Sequence, residues 1–307
     1  MIDIICVNWN AGDQLHACIA SIAQYGSGLV FQTIVIDNGS IDGSDACVEG
    51  LPNVKLIRTG ANLGFGKACN LGAQQAKSEY LLFLNPDAAL YAGTLPKALT
   101  YMQDPVHANV GVCGVQLLDE AGHVSRSCSR FPSTADFAAH ALGLDRFFPR
   151  LGHFMAEWDH AQTRQVDHVI GAFFLVRRAL FESLHGFDER FFVYLEDLDF
   201  SFRARQAGWR SMYLADARAF HAGGGTSSQV KAHRLFYSLR SRLLYGFKHF
   251  TPWQAWTLVG LTLVVELITR TVFSLLRGGV RDVRNTFKAY GMLMRDLPRI
   301  LGLRRAV

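Results

Sequence analysis

Three acids fall within four residues at Glu196-Asp197-Leu198-Asp199, directly after an aromatic run containing Phe191, Phe192 and Tyr194. At the start of a helix such acids gain from the helix dipole, which lowers a carboxyl pKa, while apolar neighbours raise it. One of the adjacent pair, Glu196 or Asp197, can point into a cleft as a general base; the other reading is a purely structural acidic helix start. Asp199 stands four residues before Arg203, which suits a structural ion pair. A further acid, Asp87, closes Asn85-Pro86-Asp87 after the apolar run Tyr80 to Leu84. Facing a diphosphate, Asp87 is a reasonable ligand for Mg2+ or Mn2+, because hard cations are held by one or two carboxylates plus substrate oxygens. Its alternative role is a helix N-cap behind a proline turn. His221, just before Gly223-Gly224-Gly225, could complete that metal sphere as a neutral imidazole, although a lone histidine is more often structural.

Two further groups suit a nucleotide. Asp37-Asn38-Gly39-Ser40 follows an apolar strand-like run, and its short side chains can hydrogen-bond a pyrimidine, with Asn8 beside them at the end of the first strand. An ordinary Asx turn is the competing reading. The run Asn62 to Asn70 (NLGFGKACN) places Gly64 and Gly66 around Phe65, with Lys67 following, ahead of a helix. Such a loop lets backbone approach a phosphate or ribose at a helix N-terminus, though glycine loops before helices are common.

The elements that must position these groups are legible as an alternation. Apolar runs predict strands at Ile2–Val7, Phe31–Ile36, Val54–Arg58 and Tyr80–Leu84, with helical stretches at Asp13–Gln24 and Ala68–Lys77. Strand–helix alternation argues for a parallel, doubly wound sheet whose ligands sit at the carboxyl ends of the strands. Further strands are expected at Gly111–Leu118, Val169–Val176, Phe191–Tyr194 and Met212–Ala215. Helices are expected at Arg178–Leu184 and from Glu196 to Gly208. Ser125–Gln165 reads as a loop-rich insertion that could shape an acceptor cleft. The triple glycine reads as a flexible joint, which divides the chain into residues 1–230 and a helical, basic region 231–307.

A hydrophobic fraction of 50% with 19% charged residues excludes a disordered chain. The net charge of +5 hides a split. Residues 1–230 carry 17 Lys/Arg against 23 Asp/Glu, and residues 231–307 carry 14 against 3. A basic tail meets anionic lipid or nucleic acid, and no nucleic-acid recognition motif accompanies this one. Six cysteines lie singly with no CxxC pair, which argues against a zinc site and a disulfide framework and fits a reducing, cytoplasmic setting without a signal peptide. Within Pro252–Leu276, the longest uncharged stretch is Thr251–Val265, 15 residues against the roughly 20 needed to span a bilayer. Glu266 and Arg270 follow, each costing about 2.5–3.5 kcal/mol at a bilayer centre. A helix lying in the membrane interface, anchored by Trp253 and Trp256, is favoured over a span or a buried, dimerising helix.

In this order the motifs resemble family 2 glycosyltransferases of the GT-A fold, most closely their bacterial rhamnosyltransferase-like branch. They are VNWN (Val7 to Asn10), VIDNGSIDGS (Val35 to Ser44), NLGFGKACN, FLNPDA (Phe83 to Ala88), GAFFLVRR (Gly171 to Arg178), the run Gly186 to Trp209, and His221 with its glycines. The resemblance implies a Rossmann-like mixed sheet flanked by helices and a nucleotide diphosphate sugar donor. It implies a saccharide or polyprenyl-diphosphate-linked acceptor and an inverting displacement. It also implies that Asp37 and Asn38 contact the base, that Asp87 holds Mg2+ or Mn2+ in place of the second acid of a DxD motif, that His221 is the third metal–diphosphate contact, and that Asp197 is the catalytic base. The chain departs from the pattern at Asn85, where the first acid of DxD is expected, and at Ala68, where a glycine is expected. Likeness favours dTDP-rhamnose as donor. One rival is a sugar-1-phosphate nucleotidyltransferase, which would need an early basic phosphate loop where residues 8–15 hold no Lys or Arg. The other is a non-catalytic nucleotide-binding protein, against which the retained Asp87, Asp197 and His221 count.

Overall fold

A computed structural model describes residues 1–223, 231–277 and 279–302. The strands are β1 (Ile2–Asn8), β2 (Val30–Asp37), β3 (Val54–Arg58), β4 (Tyr80–Leu84), β5 (Ala88–Leu90), β6 (Val110–Leu118), β7 (Cys128–Ser129), β8 (Arg164–Val166), β9 (His168–Val169), β10 (Phe173–Arg177) and β11 (Arg210–His221). The helices are α1 (Asp13–Tyr25), α2 (Phe65–Ala73), α3 (Thr94–Gln103), α4 (Thr134–Leu142), α5 (Arg178–Ser183), α6 (Glu196–Gln206), α7 (Lys231–His249), α8 (Pro252–Gly260), α9 (Leu267–Leu276) and α10 (Val280–Ile300). Among the described residues two compact units separate. One takes Met1–Arg130, Trp158–Phe192 and 196–223; the other takes Phe131–Glu157, Val193–Leu195, 231–277 and 279–302. Residues 131–157 of the expected 125–165 insertion therefore group with the C-terminal helices, and its two ends with the first unit. The expected joint at Gly223-Gly224-Gly225 and the division at 230/231 fall on or beside residues 224–230, which lie outside the described residues.

The first unit is built on one sheet in the order β3-β2-β1-β4-β10-β6-β11-β5, with β8 added on β11. Strands β1 (IDIICVN) and β4 (YLLFL) are buried along their whole length, as expected of central strands covered on both faces. Strand β3, at the edge, has no fully buried residue. Helix α1 presents Leu15, Cys18, Ile19 and Ile22 to the core, the three-and-four spacing of one helical face.

The sheet is mixed, as the family resemblance implies, and not parallel throughout as the alternation alone suggests. Strand β10 runs antiparallel to both β4 and β6. Three other expectations change. The strand expected over Val169–Val176 is split, with β9 ending at Val169 and β10 starting at Phe173. Phe191–Tyr194 is a bend, and Tyr194 and Leu195 both take left-handed φ (70° and 66°), a costly conformation for residues with a side chain. Strand β11 runs on to His221, so that histidine ends a strand rather than following one.

Aromatic packing fixes α6 against the sheet. Phe187 stacks 4.9 Å from Phe83 of β4 and 5.6 Å from Phe200 of α6, and Phe181 sits 5.3 Å from Phe200. All four rings are buried. Arg203 donates to Asp199 at 2.8 Å and to the carbonyls of Leu184 and Gly186, the structural role its spacing predicts.

In the second unit α4 begins with a capping box between Ser133 and Asp136. Residues Pro252–Leu276 form one continuous helix of 25 residues, with a wider π turn at Leu261–Glu266. Glu266 is 1% exposed, caught between Arg242 of α7 and Arg270. Burial would raise its pKa, but the two guanidiniums lower it on balance.

Candidate active site

Asp197 enters the site from the first turn of α6. Its Oδ2 accepts the Gly171 N–H at 2.7 Å and lies 3.3 Å from His168 Nε2, while Oδ1 accepts the Leu198 N–H at 2.8 Å. His168 is oriented from behind by Ser129, whose hydroxyl is 2.9 Å from Nδ1. The Asp197 side chain keeps 14% of its exposure. Burial pushes its carboxyl pKa up, but His168 and the two N–H donors outweigh this and hold it below the usual range. Glu196, 4% exposed, goes the other way: burial and then the Asp197 charge raise it well above the usual range. Its Oε2 has no hydrogen-bond partner among the described residues. The adjacent acids therefore divide, the Asp197 carboxyl held below the ordinary range and the Glu196 carboxyl pushed above it. Glu196 is turned toward α2, where a Cβ added at Gly66 would lie 3.6 Å from its own.

His168 and Ser129 were not among the residues that sequence reasoning singled out, and Gly171 entered only as the first residue of the GAFFLVRR motif, with no role. They lie 29, 68 and 26 positions from Asp197, and no local pattern announces their meeting. The nearest signal is the strand residue His168 three positions before a glycine.

The second pole of the site is at the end of β4. His221 Nε2 stands 3.4 Å from Asp87 Oδ1, both side chains largely buried, and the Ala222 N–H bonds the Asp87 carbonyl. Pairing of β5 with β11 sets His221 opposite Ala88, which is how residues 134 positions apart meet. Asn85 joins the two poles: its N–H bonds the Ala172 carbonyl at 3.1 Å, one residue from the Gly171 that holds Asp197. Asn85 and Asp87 thus stand past the carboxyl end of β4 with His221 beside them, where α/β sheets hold ligands, and Asp197 is tied to that end through the Gly171–Ala172 backbone.

The Asp87–His221 pair fits a divalent cation. Two cis ligands on an octahedral ion with bonds of about 2.1 Å stand about 3 Å apart. No group of three or more His, Cys, Asp or Glu is available among the described residues, so the remaining positions would fall to substrate oxygens and water.

The nucleotide candidates also converge. Asn8 Nδ2 donates to Asp37 Oδ1 (2.9 Å), Ser40 Oγ (3.1 Å) and Ser44 Oγ (2.9 Å). Asn38 Nδ2 donates to Asn62 Oδ1 (3.0 Å), and Asn38 Oδ1 accepts from Leu63 N (2.8 Å), which ties the β2 end to the Asn62–Gly64 loop. Gly64 (φ 87°) approaches Phe192 so closely that a Cβ would meet the Phe192 carbonyl at 2.5 Å. Phe65 N donates to that same carbonyl. Asn70 and Lys67 face elsewhere. Asn70 clasps the Phe187 backbone through both ends of its amide, and the exposed Lys67 ammonium is 3.7 Å from Glu189.

Residues 3–184 match the glycosyl transferase family 2. The chain is 31% identical over 291 residues to the N-acetylglucosaminyl-diphospho-decaprenol L-rhamnosyltransferase of Mycobacterium tuberculosis (strain ATCC 25618 / H37Rv), covering 88% of this chain and 94% of that one. It is 32% identical over 197 residues to the rhamnosyltransferase WbbL of Escherichia coli (strain K12), covering 61% of this chain and 71% of that one. Among solved structures, the mannosyltransferase PcManGT of Pyrobaculum calidifontis, in complex with GDP-Man and Mn2+, superposes with a TM-score of 0.56 at 17% identity, over 96% of this chain and 87% of that one. That likeness concerns the fold. Neither a nucleotidyltransferase nor a non-catalytic nucleotide binder accounts for the family match together with the rhamnosyltransferase relatives. The chain belongs to glycosyl transferase family 2 and is a glycosyltransferase.

Proposed function

We propose that the enzyme transfers L-rhamnose, with inversion, from dTDP-rhamnose to a polyprenyl-diphosphate-linked saccharide in cell-surface polysaccharide synthesis. The observation that carries the mechanism is the carboxylate of Asp197, ionised and oriented by Gly171 and His168 beside the end of β4. The choice of sugar and acceptor is supported by the names of the M. tuberculosis and E. coli relatives.

In this reading the donor base and ribose lie against the Asn8–Asp37–Asn38–Ser40 network and the Asn62–Phe65 loop. Asp87 and His221 would hold Mg2+ or Mn2+, which neutralises charge growing on the departing diphosphate. Asp197 takes the acceptor hydroxyl proton as that oxygen attacks the anomeric carbon from the face opposite the diphosphate. General-base assistance is worth about 10²–10⁴-fold. Asp197→Asn is therefore expected to lose transfer by that factor while still binding donor, measured by product formation and by donor-induced thermal stabilisation. Near-normal turnover in that variant would remove Asp197 as base.

The second unit supplies a membrane foot, and the protein acts at the cytoplasmic face. Trp253, Trp256, Val264, Ile268, Val272 and Leu275 lie exposed at helical spacing along one helix. The helix is long enough and apolar enough to cross a bilayer, yet Glu266 is committed to Arg242 within the unit. A helix lying in the interface, drawn by the basic surroundings, satisfies both facts. Flotation with anionic vesicles tests this, and full recovery in the soluble fraction refutes it.

A further inference from the structure

We propose that the second unit carries a phosphate-binding cavity that receives the diphosphate of a membrane lipid, separate from the donor site. The cavity has a volume of about 300 Å³ and lies between α4, the Leu144–Arg146 turn, the start of α7, α9 and α10. That is the lower bound of pockets that hold small molecules, roughly 300–1,000 Å³.

Its chemistry is that of an anion site. Arg146, Lys231, Arg270 and Arg277 line it, against two carboxylates, Glu266 and Asp282. Glu266 is consumed by Arg270 (2.8 Å) and by Arg242 behind it. Asp282 lies 3.5 Å from Lys231. Arg146 and Arg277 have no carboxylate partner among the described residues. The Arg146 guanidinium is parked 5.1 Å over the Phe273 ring, a contact that positions it without neutralising it. A guanidinium pair left in this state matches the fork geometry of phosphate oxygens.

The rim says what carries the phosphate. Each unpaired arginine adjoins two exposed apolar residues in the chain: Arg146 precedes Phe147 and Phe148, and Leu275 and Leu276 precede Arg277. Cations inside the cavity and exposed hydrocarbon next to them in the chain suit an amphiphile whose head enters while its chain stays in the bilayer. A free phosphate would use the first feature and leave the second without purpose. The lipid-linked acceptor reading above governs the choice of lipid only; the cavity and its charge do not depend on it.

The test uses the full chain and phosphatidylcholine vesicles with or without a small fraction of polyprenyl diphosphate. Arg146→Gln with Arg277→Gln is compared with Arg281→Gln with Arg284→Gln, an equal charge loss on α10 outside the cavity. The cavity pair should weaken binding to diphosphate-bearing vesicles at least about tenfold, the control pair less than about threefold, and inorganic pyrophosphate should compete only weakly. Neither arginine pair closes an ion pair, so both variants are expected to fold, which circular dichroism checks. Equal losses in the two pairs would reduce the effect to diffuse electrostatics and overturn the proposal. Inorganic pyrophosphate binding as tightly as the vesicle-borne group would overturn the lipid as its source. Sugar transfer from donor to acceptor by the unaltered enzyme is read in parallel. A chain that transfers no sugar but floats with diphosphate lipid refutes the proposed transfer and leaves the cavity standing.

Discussion

Replacing Glu196 with Gln separates the two adjacent acids by a measurement that does not depend on activity alone. The buried Glu196 keeps its proton well above the ordinary carboxylate range because of burial and the Asp197 charge. Below about pH 4 the folded and unfolded chains both hold that proton, so the residue contributes no pH dependence. As pH rises, the unfolded chain releases the proton while the folded chain retains it, and stability falls by up to about 1.4 kcal/mol per pH unit. Wherever the folded chain keeps the proton that the unfolded chain has lost, the difference keeps growing at that rate. Glu196→Gln removes this slope. Its amide inherits the absence of a partner at Oε2, so a constant offset accompanies the change, and the slope rather than the offset carries the prediction. Asp197 does not confuse the reading, because its lowered pKa places its own window below the ordinary range, where stability is lost as pH falls. Denaturant unfolding of both proteins at pH 5, 6, 7 and 8 should show their difference growing in favour of Gln, with transfer at pH 7 within about threefold of normal. A difference that stays flat with pH, or a fall in transfer of the 10²-fold order expected for a lost base, would refute the division of roles.

His168→Ala should lower kcat about tenfold (~1.4 kcal/mol) with little change in donor KM, and should move the acidic limb of the pH–rate profile to higher pH, because the group that depresses Asp197 is gone. A purely structural histidine would leave the limb in place, and His168→Gln should recover part of the rate. Gly64→Ala should cost about 1–3 kcal/mol from its positive φ alone, with the Phe192 clash adding to it, read as a fall in Tm and a raised donor KM. Glu266→Gln should destabilise the second unit by about 3–5 kcal/mol, since Arg242 would be left buried, and Arg270 half-buried, without a counter-charge. Because the Glu266 pKa is lowered, its contribution in the unaltered protein should survive mild acid and fade only as pH falls through that lowered value.

Most of the first sheet was legible because its information is local. Ile2–Val7, Val54–Arg58 and Tyr80–Leu84 are apolar runs bounded by polar turns, and each forms a strand within a residue of its expected bounds. The direction of β10 was not, since Phe173–Arg177 is as apolar as any parallel central strand, and only its neighbours make it antiparallel. The aromatic run Phe191–Tyr194 misled for a related reason. Tertiary packing takes Phe191 inside and leaves Tyr194 in a left-handed turn, so side-chain propensity was overridden. The length of β11 was hidden because Asp216 and Arg218, exposed on the strand, read as its end.

The site divides along the same line. Asp87, Asp197 and His221 could be picked out because acids after an apolar strand or at a helix start are rare enough to notice, and the sheet brings the first and last within 3.4 Å. Which acid of the pair is ionised could not be, because the answer comes from Gly171 and His168 on another segment. The break in the expected Val169–Val176 strand is what supplies them. A continuous strand there would commit the Gly171 N–H to a neighbouring ladder, whereas the interruption between β9 and β10 turns it to the Asp197 carboxylate at 2.7 Å. A side chain at that position would lie 3.3 Å from Asp197 Oδ2, so a glycine at the break lets the donor and the carboxylate meet without displacement. The same interruption returns Ala172 to Asn85, coupling the base to the end of β4. An irregularity in the sheet therefore orients one of two adjacent carboxylates and lowers its pKa, and that consequence appears only when the backbone is seen to stop pairing.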